Sequence, residues 1–272
     1  MLTEPVLNAA VLGSPIAHSL SPLLHRAAYR ALGLEQWRYA AHEVGEAAFR
    51  PFVAGLDESW RGLSLTMPLK EVAFEVASEV SAAARATGAV NTLVRRGTGE
   101  WDAHNTDVHG IVAALAPAGG SDSATVLGSG ATARSAIAAL GQLGVSRVRV
   151  AVRSGVRPET ARMSAALGVH LDEVALDRWA DEGGLVVSTL PASASSSAAS
   201  ALEGRALEGT LLDVVYADWP TPLARAAAGA GLTVVSGLDM LVHQAAEQVR
   251  LMTGHEAPLV AMLAAARGAA AG

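Results

Sequence analysis

Lysine occurs once in this chain. Of the 20 basic residues, only Lys70 is a lysine, and all the others are arginines. A lysine amine can lose its proton under a modest perturbation, whereas a guanidinium stays charged. Lys70 follows Gly62–Met67, which predicts a strand that ends at a proline, and α/β proteins place reacting groups at strand ends. Lys70 is therefore a candidate acid or base, and a solvated surface lysine is the alternative.

Two serines lie beside a predicted helix start. They belong to Gly-Ser-Pro-Ile-Ala-His-Ser-Leu-Ser-Pro at residues 13–22, which leads into an apolar-periodic run over Pro22–Leu32. Ser21 fits the N-cap of this helix, and Pro22 fits its first position. Helix capping accounts for a serine at residue 21 but not for one at residue 19. Two hydroxyls at a helix N-terminus also form a neutral site for a carboxylate, so both serines are candidate anion ligands.

Two of the three asparagines stand in Asn-Thr pairs near predicted element ends. One pair lies in Gly-Ala-Val-Asn-Thr at residues 88–92, and the other in His-Asn-Thr-Asp at residues 104–107. Asp107 precedes a predicted helix over Asp107–Leu115. A carboxylate there caps the helix or takes part in catalysis, and the sequence alone favours neither role.

A glycine-rich turn follows the apolar run Ala124–Leu127 and opens a helical stretch over Ala133–Leu143. Its glycines allow a sharp turn and a close approach of the backbone to a pyrophosphate at the positive end of the helix. An ordinary strand-to-helix turn is the alternative, and the flanking strand, helix and strand favour a nucleotide site. The turn comprises Gly128, Ser129, Gly130, Ala131, Thr132 and Ala133.

The next predicted strand, Arg147–Val152, ends in basic residues. In proteins that bind NAD, an acidic residue about 20 positions after the glycines accepts the ribose 2′-hydroxyl. Arg153, Ser154 and Arg157 occupy that region here, and guanidinium groups can bind a 2′-phosphate. We therefore predict NADP as the cofactor, with solvated loop arginines as the alternative.

The elements that would position these residues form an α/β pattern. From residue 124 onward the alternation is regular and predicts a parallel sheet with helices on both faces. Helices are also expected over Leu238–Met252 and Ala257–Arg267, and Ser193–Ser200 is expected to be a mobile loop or a weak helix start. The remaining predicted strands are Asn8–Gly13, Trp37–Val44, Ala89–Arg95, Leu185–Thr189, Thr210–Val215 and Leu232–Val235.

Composition argues against several classes of protein. With 51% hydrophobic and 17% charged residues, the chain is a folded globule. A formal charge of −6 without a Lys/Arg cluster argues against nucleic acid as a partner. Cysteine is absent, and His18, His25 and His104 match no metal-ligand spacing, so we expect structural histidines and no metal. Without a signal sequence or a membrane-length apolar run, a cytoplasmic protein is expected.

Together these motifs resemble the shikimate dehydrogenase family over nearly the whole chain. The resemblance implies an NADP-dependent oxidoreductase that interconverts 3-dehydroshikimate and shikimate in chorismate and aromatic amino acid biosynthesis. A quinate or quinate/shikimate dehydrogenase is the nearer alternative, and a non-catalytic sensor that binds shikimate is the more distant one. Besides the glycine turn, the matching motifs are residues 13–22, 65–70, 88–92, 105–107, 213–216, 221–223 and 237–244.

The family also implies an architecture. An α/β/α substrate domain over residues 1–106, completed by C-terminal helices within residues 238–272, would face an NADP-binding Rossmann domain over residues 107–237 across a cleft. The chain would bind only small molecules and would act as a monomer or a homodimer.

The same resemblance assigns site residues. Lys70 and Asp107 would be the catalytic pair. Burial of an ammonium lowers its pKa and a nearby carboxylate raises it, so the division of proton transfer between the two stays open. Ser19 and Ser21 would hold the substrate carboxylate with Tyr216 closing on it, and Thr66, Asn91 and Gln244 would bind ring hydroxyls. The cofactor would contact residues 128–133, Arg153, Ser154 and Arg157, and, near the nicotinamide, Ser188, Thr189 and Gly237.

Three positions depart from the family pattern. Ala131 replaces a glycine found in many relatives, and Val152 replaces the usual asparagine; both concern cofactor affinity. Ser64 stands where asparagine is frequent and concerns the surroundings of the substrate site.

Overall fold

A computed structural model describes residues 5–97 and 99–270 and divides them into two compact units. The first unit takes the described residues up to Arg85, then Ala89–Thr106 and the chain from Val242 onward. The second unit takes Ala86–Gly88 and Asp107–Leu241. Among the described residues, no helix has both the length and the apolar composition that a membrane crossing requires.

The elements alternate along the chain as an α/β fold requires. The strands are β1 Leu7–Gly13, β2 Trp37–Glu43, β3 Trp60–Leu65, β4 Ala77–Val80, β5 Thr92–Arg95, β6 Trp101–His104, β7 Ser123–Leu127, β8 Arg147–Val152, β9 His170–Ala175, β10 Gly184–Ser188, β11 Gly209–Asp213 and β12 Thr233–Ser236. The helices are α1 Ser21–Ala31, α2 Glu46–Ala54, α3 Ala82–Thr87, α4 Asp107–Leu115, α5 Ala131–Gln142, α6 Pro158–Ala166, α7 Ser195–Ala199, α8 Pro222–Gly229, α9 Gly237–Thr253 and α10 Leu259–Ala270.

The first unit is built on a mixed six-stranded sheet in the order β2-β1-β3-β5-β6-β4. β1 is parallel to β2 and β3, whereas β5 is antiparallel to β3 and β6. Successive residues of β1 are buried on both faces of the sheet, as expected for a central parallel strand. One core contains Leu12, Leu63, Leu93 and Phe49, and a second contains Val11, Tyr29, Tyr39 and Met252.

The second unit is built on an all-parallel sheet in the order β12-β11-β10-β7-β8-β9. If β7 is taken as the first strand, this is the Rossmann strand order. The order in which the chain adds strands to the sheet reverses between β7 and β10, where neighbouring strands remain parallel. One apolar cluster includes Val126, Ile137 and Val150, and another includes Leu127, Trp179 and Leu223. The clusters join different helices to the same strands, which confirms a parallel sheet covered on both faces.

Several predicted boundaries were wrong. The strand expected over Ala89–Arg95 begins only at Thr92, because Gly88 adopts a φ of +58° and residues 89–91 form the connection after α3. Of the two alternatives for Ser193–Ser200, the weak helix start agrees with the structure: α7 begins at Ser195, and residues 192–202 form three consecutive short helical turns. The buried Ser195 hydroxyl accepts a hydrogen bond from the N–H of Leu223 at 2.9 Å, which fixes the segment to α8.

The predicted helix starts also need correction. Leu20, in helical conformation, is the N-cap of α1, and Ser21 is the first helical residue. The Ser19 hydroxyl makes the local contact instead, accepting from the N–H of Ser21 at 3.3 Å. Helix α5 begins at Ala131 rather than Ala133, because Gly130 is extended (φ −89°, ψ −167°) and forms its N-cap.

His25, on α1, is a structural histidine in the core of the first unit, as the sequence led us to expect. Its ring stacks on Tyr39 with centroids 3.9 Å apart, and its Nε2 lies 3.2 Å from Oε1 of Gln248. Burial lowers the pKa of His25 to about 3, although the hydrogen bond to Gln248 opposes the shift. The imidazole is therefore neutral at pH 7.

This buried neutral histidine predicts a loss of stability in acid. Below the unfolded pKa of about 6.5, His25 is protonated in the unfolded chain but stays neutral in the folded state. The free energy of unfolding therefore falls by about 2 kcal/mol between pH 7 and pH 5. Urea titrations measure this change. From pH 7 to pH 5, we expect the free energy of unfolding of the wild type to fall by that amount relative to that of His25→Asn. His255→Asn, at an exposed position, is the control. A difference that stays constant with pH would show that His25 is not held neutral.

Candidate active site

The ends of four strands meet at one edge of the first sheet. Because β1 and β3 are parallel and β5 is antiparallel to both β3 and β6, the carboxyl ends of β1, β3 and β6 lie beside the amino end of β5. The N–H of Thr66 donates to Leu12 at 3.0 Å, and the N–H of Ser14 donates to Met67 at 2.9 Å. Open α/β sheets bind ligands outside the carboxyl ends of their strands, so this edge is a candidate substrate site.

Thr66 and Lys70 follow β3 at this edge. A Cβ on Gly13 would lie 2.4 Å from Cγ2 of Thr66, so a side chain at residue 13 would collide with it. The N–H of Leu69 donates to the Thr66 carbonyl at 2.8 Å, and the Lys70 carbonyl accepts from the N–H of Val90 at 2.7 Å. These bonds fix the backbone of the partly buried Lys70 next to the segment that carries Asn91.

Asn91 is 2% exposed and lies between the ends of β3 and β6. Its carbonyl accepts from the N–H of Leu65 at 2.7 Å, and its N–H donates to the carbonyl of His104 at 3.1 Å. Its Oδ1 accepts from the N–H of Thr106 at 2.8 Å, while its Nδ2 donates to the Thr106 hydroxyl at 2.9 Å and to Oε1 of Gln244 at 3.2 Å. The structure therefore brings together Asn91 and Gln244, two predicted ring-hydroxyl ligands.

Sequence reasoning missed two members of this cluster. Thr106 stands within the Asn-Thr-Asp motif, so the motif gave a signal for it. Gln248 gave a weaker signal, because only its position one helical turn after Gln244 on α9 relates it to a predicted site residue.

The predicted carboxylate ligands Ser19 and Ser21 lie at the start of α1, which follows β1 at the same edge. Ser21 is buried at the first helical position, and Ser19 is partly buried with its N–H donating to the carbonyl of Ile16 at 3.0 Å. Both hydroxyls are thus carried by a helix N-terminus, a place where an anion is stabilised.

In the second unit, the predicted pyrophosphate turn lies between β7 and α5. Gly128 follows β7 with a φ of +104°, and a Cβ there would lie 2.7 Å from Oγ1 of Thr189. Gly130 caps α5, and a Cβ on it would meet no described atom within 4 Å, so the backbone is open to a ligand on that side. Ala133 is fully buried, as close packing of the helix on the sheet demands.

Arg153, Ser154 and Arg157 lie in the exposed loop after β8. This loop is joined to the glycine turn, because the N–H of Arg157 donates to the Ser129 hydroxyl at 2.8 Å. Within residues 5–97 and 99–270, the guanidinium groups of Arg153 and Arg157 make no hydrogen bond or ion pair. Guanidinium groups in a loop bonded to the glycine turn would suit a 2′-phosphate.

The other predicted cofactor residues follow the carboxyl ends of β10 and β12. Ser188 is the buried last residue of β10, and the Thr189 hydroxyl donates to the carbonyl of Leu127 at 2.8 Å. Gly237 begins α9, where a Cβ would lie 2.2 Å from the carbonyl oxygen of Val214. That approach requires a glycine.

Asp213 supports the segment that leads to Tyr216, a role that the sequence did not suggest. Its Oδ2 accepts from the Thr221 hydroxyl at 2.7 Å, and its Oδ1 accepts from the N–H of Val215 at 3.3 Å. Burial raises the pKa of the Asp213 carboxyl, and these hydrogen bonds oppose the shift. Thr221 also accepts from the N–H of Ala224 at 3.0 Å as the N-cap of α8.

Asp107 is the buried first residue of α4. It belongs to the second unit, whereas Lys70, the other member of the predicted catalytic pair, belongs to the first. Within residues 5–97 and 99–270, no group of three or more His, Asp or Glu side chains could hold a metal ion.

Comparisons with known proteins identify the relatives of this chain. Family models of the shikimate dehydrogenase substrate binding domain and the shikimate 5′-dehydrogenase C-terminal domain match residues 11–93 and 237–267. Shikimate dehydrogenase (NADP(+)) of Synechococcus sp. strain JA-3-3Ab is 37% identical over 268 residues, which cover 94% of this chain and 92% of the relative. The Mycobacterium tuberculosis shikimate dehydrogenase structure has a TM-score of 0.86 and 43% identity, covering 97% of this chain and 99% of the other.

A second solved structure, shikimate 5-dehydrogenase from Thermus thermophilus, was determined in complex with NADP(H) and shikimate. It has a TM-score of 0.80 and 32% identity, covering 97% of this chain and all of the other. These relatives match nearly the whole chain in sequence, and the solved structures also match it in fold. The chain belongs to the shikimate dehydrogenase family.

Proposed function

We propose that this protein catalyses the reversible reduction of 3-dehydroshikimate to shikimate with NADPH, a step in the biosynthesis of chorismate and aromatic amino acids. The observation that carries this proposal is the cluster at the carboxyl edge of the first sheet. There the single lysine follows the same strand as Thr66, and its carbonyl accepts from the N–H of Val90, next to Asn91. The Asn91 amide in turn donates to Gln244 on α9. This set combines a proton donor with ligands for hydroxyl groups.

The first unit, in this proposal, binds the substrate. Ser19 and Ser21 at the start of α1 hold its carboxylate, with Tyr216 closing on it, and Thr66, Asn91 and Gln244 bind its ring hydroxyls. The amides suit this role because each offers both a donor and an acceptor, and a hydroxyl needs both. A neutral pair of serines suits the carboxylate because the helix N-terminus supplies the favourable potential.

The second unit would hold NADP, whose nicotinamide supplies or accepts the hydride when it is bound. The turn over residues 128–133 offers the open backbone of Gly130 and the N-terminus of α5 to the pyrophosphate. Arg153, Ser154 and Arg157 hold the 2′-phosphate. Ser188, Thr189 and Gly237, at the carboxyl ends of β10 and β12, would contact the nicotinamide half.

Lys70 handles the proton. Reduction of the ring carbonyl places a hydride on carbon and requires a proton on oxygen, which the Lys70 ammonium donates; in the oxidation its amine takes the proton back. We infer that Asp107 orients Lys70 for this transfer.

Near-ultraviolet absorbance of NADPH tests the proposed reaction. The purified protein is mixed with shikimate or quinate and with NADP⁺ or NAD⁺, and we expect the fastest reduction with shikimate and NADP⁺. Faster reaction with quinate or NAD⁺ would assign the enzyme to the quinate-oxidising class. Binding of shikimate without reduction of either nucleotide would support a sensor.

Removal of the proton donor should slow turnover without abolishing binding. We expect Lys70→Ala to lower kcat by about two to four decades while KM for shikimate changes much less. Lys70→Arg should be similarly slow, because a guanidinium keeps the charge but does not release a proton. Arg50→Ala, at an exposed position of α2, is the control. A kcat near the wild-type value in Lys70→Ala would remove Lys70 from the mechanism.

Cofactor choice should depend on the loop after β8. We expect Arg153→Ala to weaken NADP⁺ binding by about ten- to a hundredfold through loss of a charge-assisted contact, and to affect NAD⁺ much less. Titration calorimetry with each nucleotide measures both effects. Arg162→Ala, on the exposed side of α6, should change neither. Equal losses for the two nucleotides would show that Arg153 does not distinguish them.

A further inference from the structure

Gln248, on α9, is the centre of a buried hydrogen-bond network in the first unit. It is 1% exposed, and its amide contacts four other groups. Its Oε1 accepts from the Ser64 hydroxyl at 2.8 Å and lies 3.2 Å from Nε2 of His25. Its Nε2 donates to the Thr92 hydroxyl at 3.0 Å and to the carbonyl of Asn91 at 3.3 Å.

These partners leave one orientation for the amide. The Asn91 carbonyl can only accept, so the amide nitrogen of Gln248 must face it and the amide oxygen must face Ser64 and His25. Nε2 of His25 therefore carries its proton. Ser64 in turn accepts from the Tyr39 hydroxyl at 2.6 Å, so every bond on this side of Gln248 has a defined direction.

The network continues to the predicted substrate ligands. The Thr92 hydroxyl, which accepts from Gln248, donates to Oδ1 of Asn91 at 2.9 Å. Asn91 must then present its Nδ2 to Oε1 of Gln244 at 3.2 Å. Gln244 and Gln248 are one turn apart on α9, so the helix that carries one substrate ligand is fixed to the other through Gln248.

We propose that Gln248 is a positioning residue for the Asn91 and Gln244 amides, and that Ser64 supports it. This inference rests on the proposed function. Through Thr92, Gln248 supports the Asn91 amide orientation that the N–H of Thr106 also favours, and it does so without itself contacting substrate. Serine at residue 64 suits this arrangement, because its hydroxyl accepts from Tyr39 and donates to Gln248 at the same time.

The structure predicts a selective kinetic effect. Replacing Gln248 by methionine keeps its length but removes all four contacts. Asn91 then loses the support that holds its amide, so the binding of shikimate should weaken while proton transfer through Lys70 and binding of NADP⁺ persist. We expect KM for shikimate to rise about tenfold in Gln248→Met, with kcat and KM for NADP⁺ changing by less than about threefold.

Steady-state kinetics of the full-length enzyme test this, with Gln142→Met at the exposed end of α5 as the matched control. Analogues of shikimate that each lack one ring hydroxyl provide a second readout. Gln248→Met should impair shikimate more than the analogue that lacks the hydroxyl bound by Asn91. Ser64→Ala, which removes one bond of the network, should raise KM for shikimate about threefold. If Gln248→Met does not fold, the KM of Ser64→Ala for shikimate provides the test instead.

Other outcomes would overturn the inference. A lower thermal midpoint with an unchanged KM for shikimate would make Gln248 a purely structural residue, and equal effects on shikimate and every analogue would contradict positioning of a ring-hydroxyl ligand. The wild-type assay separates this result from failure of the proposed function. A wild type that does not oxidise shikimate refutes that function, whereas an active wild type with an unaffected Gln248→Met refutes only the role of Gln248.

Discussion

The hydrogen bonds of Asn91 connect the parts of the first unit that form its candidate site. Its backbone joins the end of β3 at Leu65 to the end of β6 at His104, and its amide reaches Gln244 on α9. A buried amide without these partners would cost about 1–3 kcal/mol for each unsatisfied group. The strand ends and the C-terminal helix must therefore keep their places around residue 91, which gives the edge a defined shape before any ligand binds.

The second unit forms its site by a different physical means. Its central turn depends on the space that glycines leave, since a side chain on Gly128 would collide with Thr189 and one on Gly237 would collide with Val214. Close backbone packing and helix N-termini suit phosphate groups, whereas the directed amides of the first unit suit hydroxyls. This difference supports the proposal that the first unit binds the polyhydroxylated substrate and the second binds the dinucleotide.

Much of the fold could be predicted from the sequence because the central strands are apolar runs. Three strands were missed. β4 and β9 lie at sheet edges, and their polar residues, such as Glu79 and Asp172, conceal the strand pattern. β6 lies inside its sheet but has only four residues, two of them polar, which is too short a run to indicate a strand. Ser21 was assigned to the wrong position because the helix start depends on the conformation of Leu20, which composition does not encode.

The candidate site was predicted where a motif marked it, as at Asn91 and Gln244. Gln248 was missed because its partners are remote in the chain: His25 is 223 residues away, Ser64 is 184 and Thr92 is 156. The roles of Lys70, Asp107 and the arginines after β8 stay predictions, since they concern ligands rather than contacts within the chain.

The central claim is that the substrate binds at the carboxyl edge of the first sheet with Lys70 at its reacting oxygen. A crystal structure of the protein with shikimate and NADP⁺ tests it most directly. We expect ring hydroxyls within hydrogen-bond distance of Asn91 and Gln244, the Lys70 ammonium at the oxygen that becomes the carbonyl, and the 2′-phosphate on Arg153 or Arg157. Shikimate bound away from this edge, or Lys70 out of reach of that oxygen, would contradict the account.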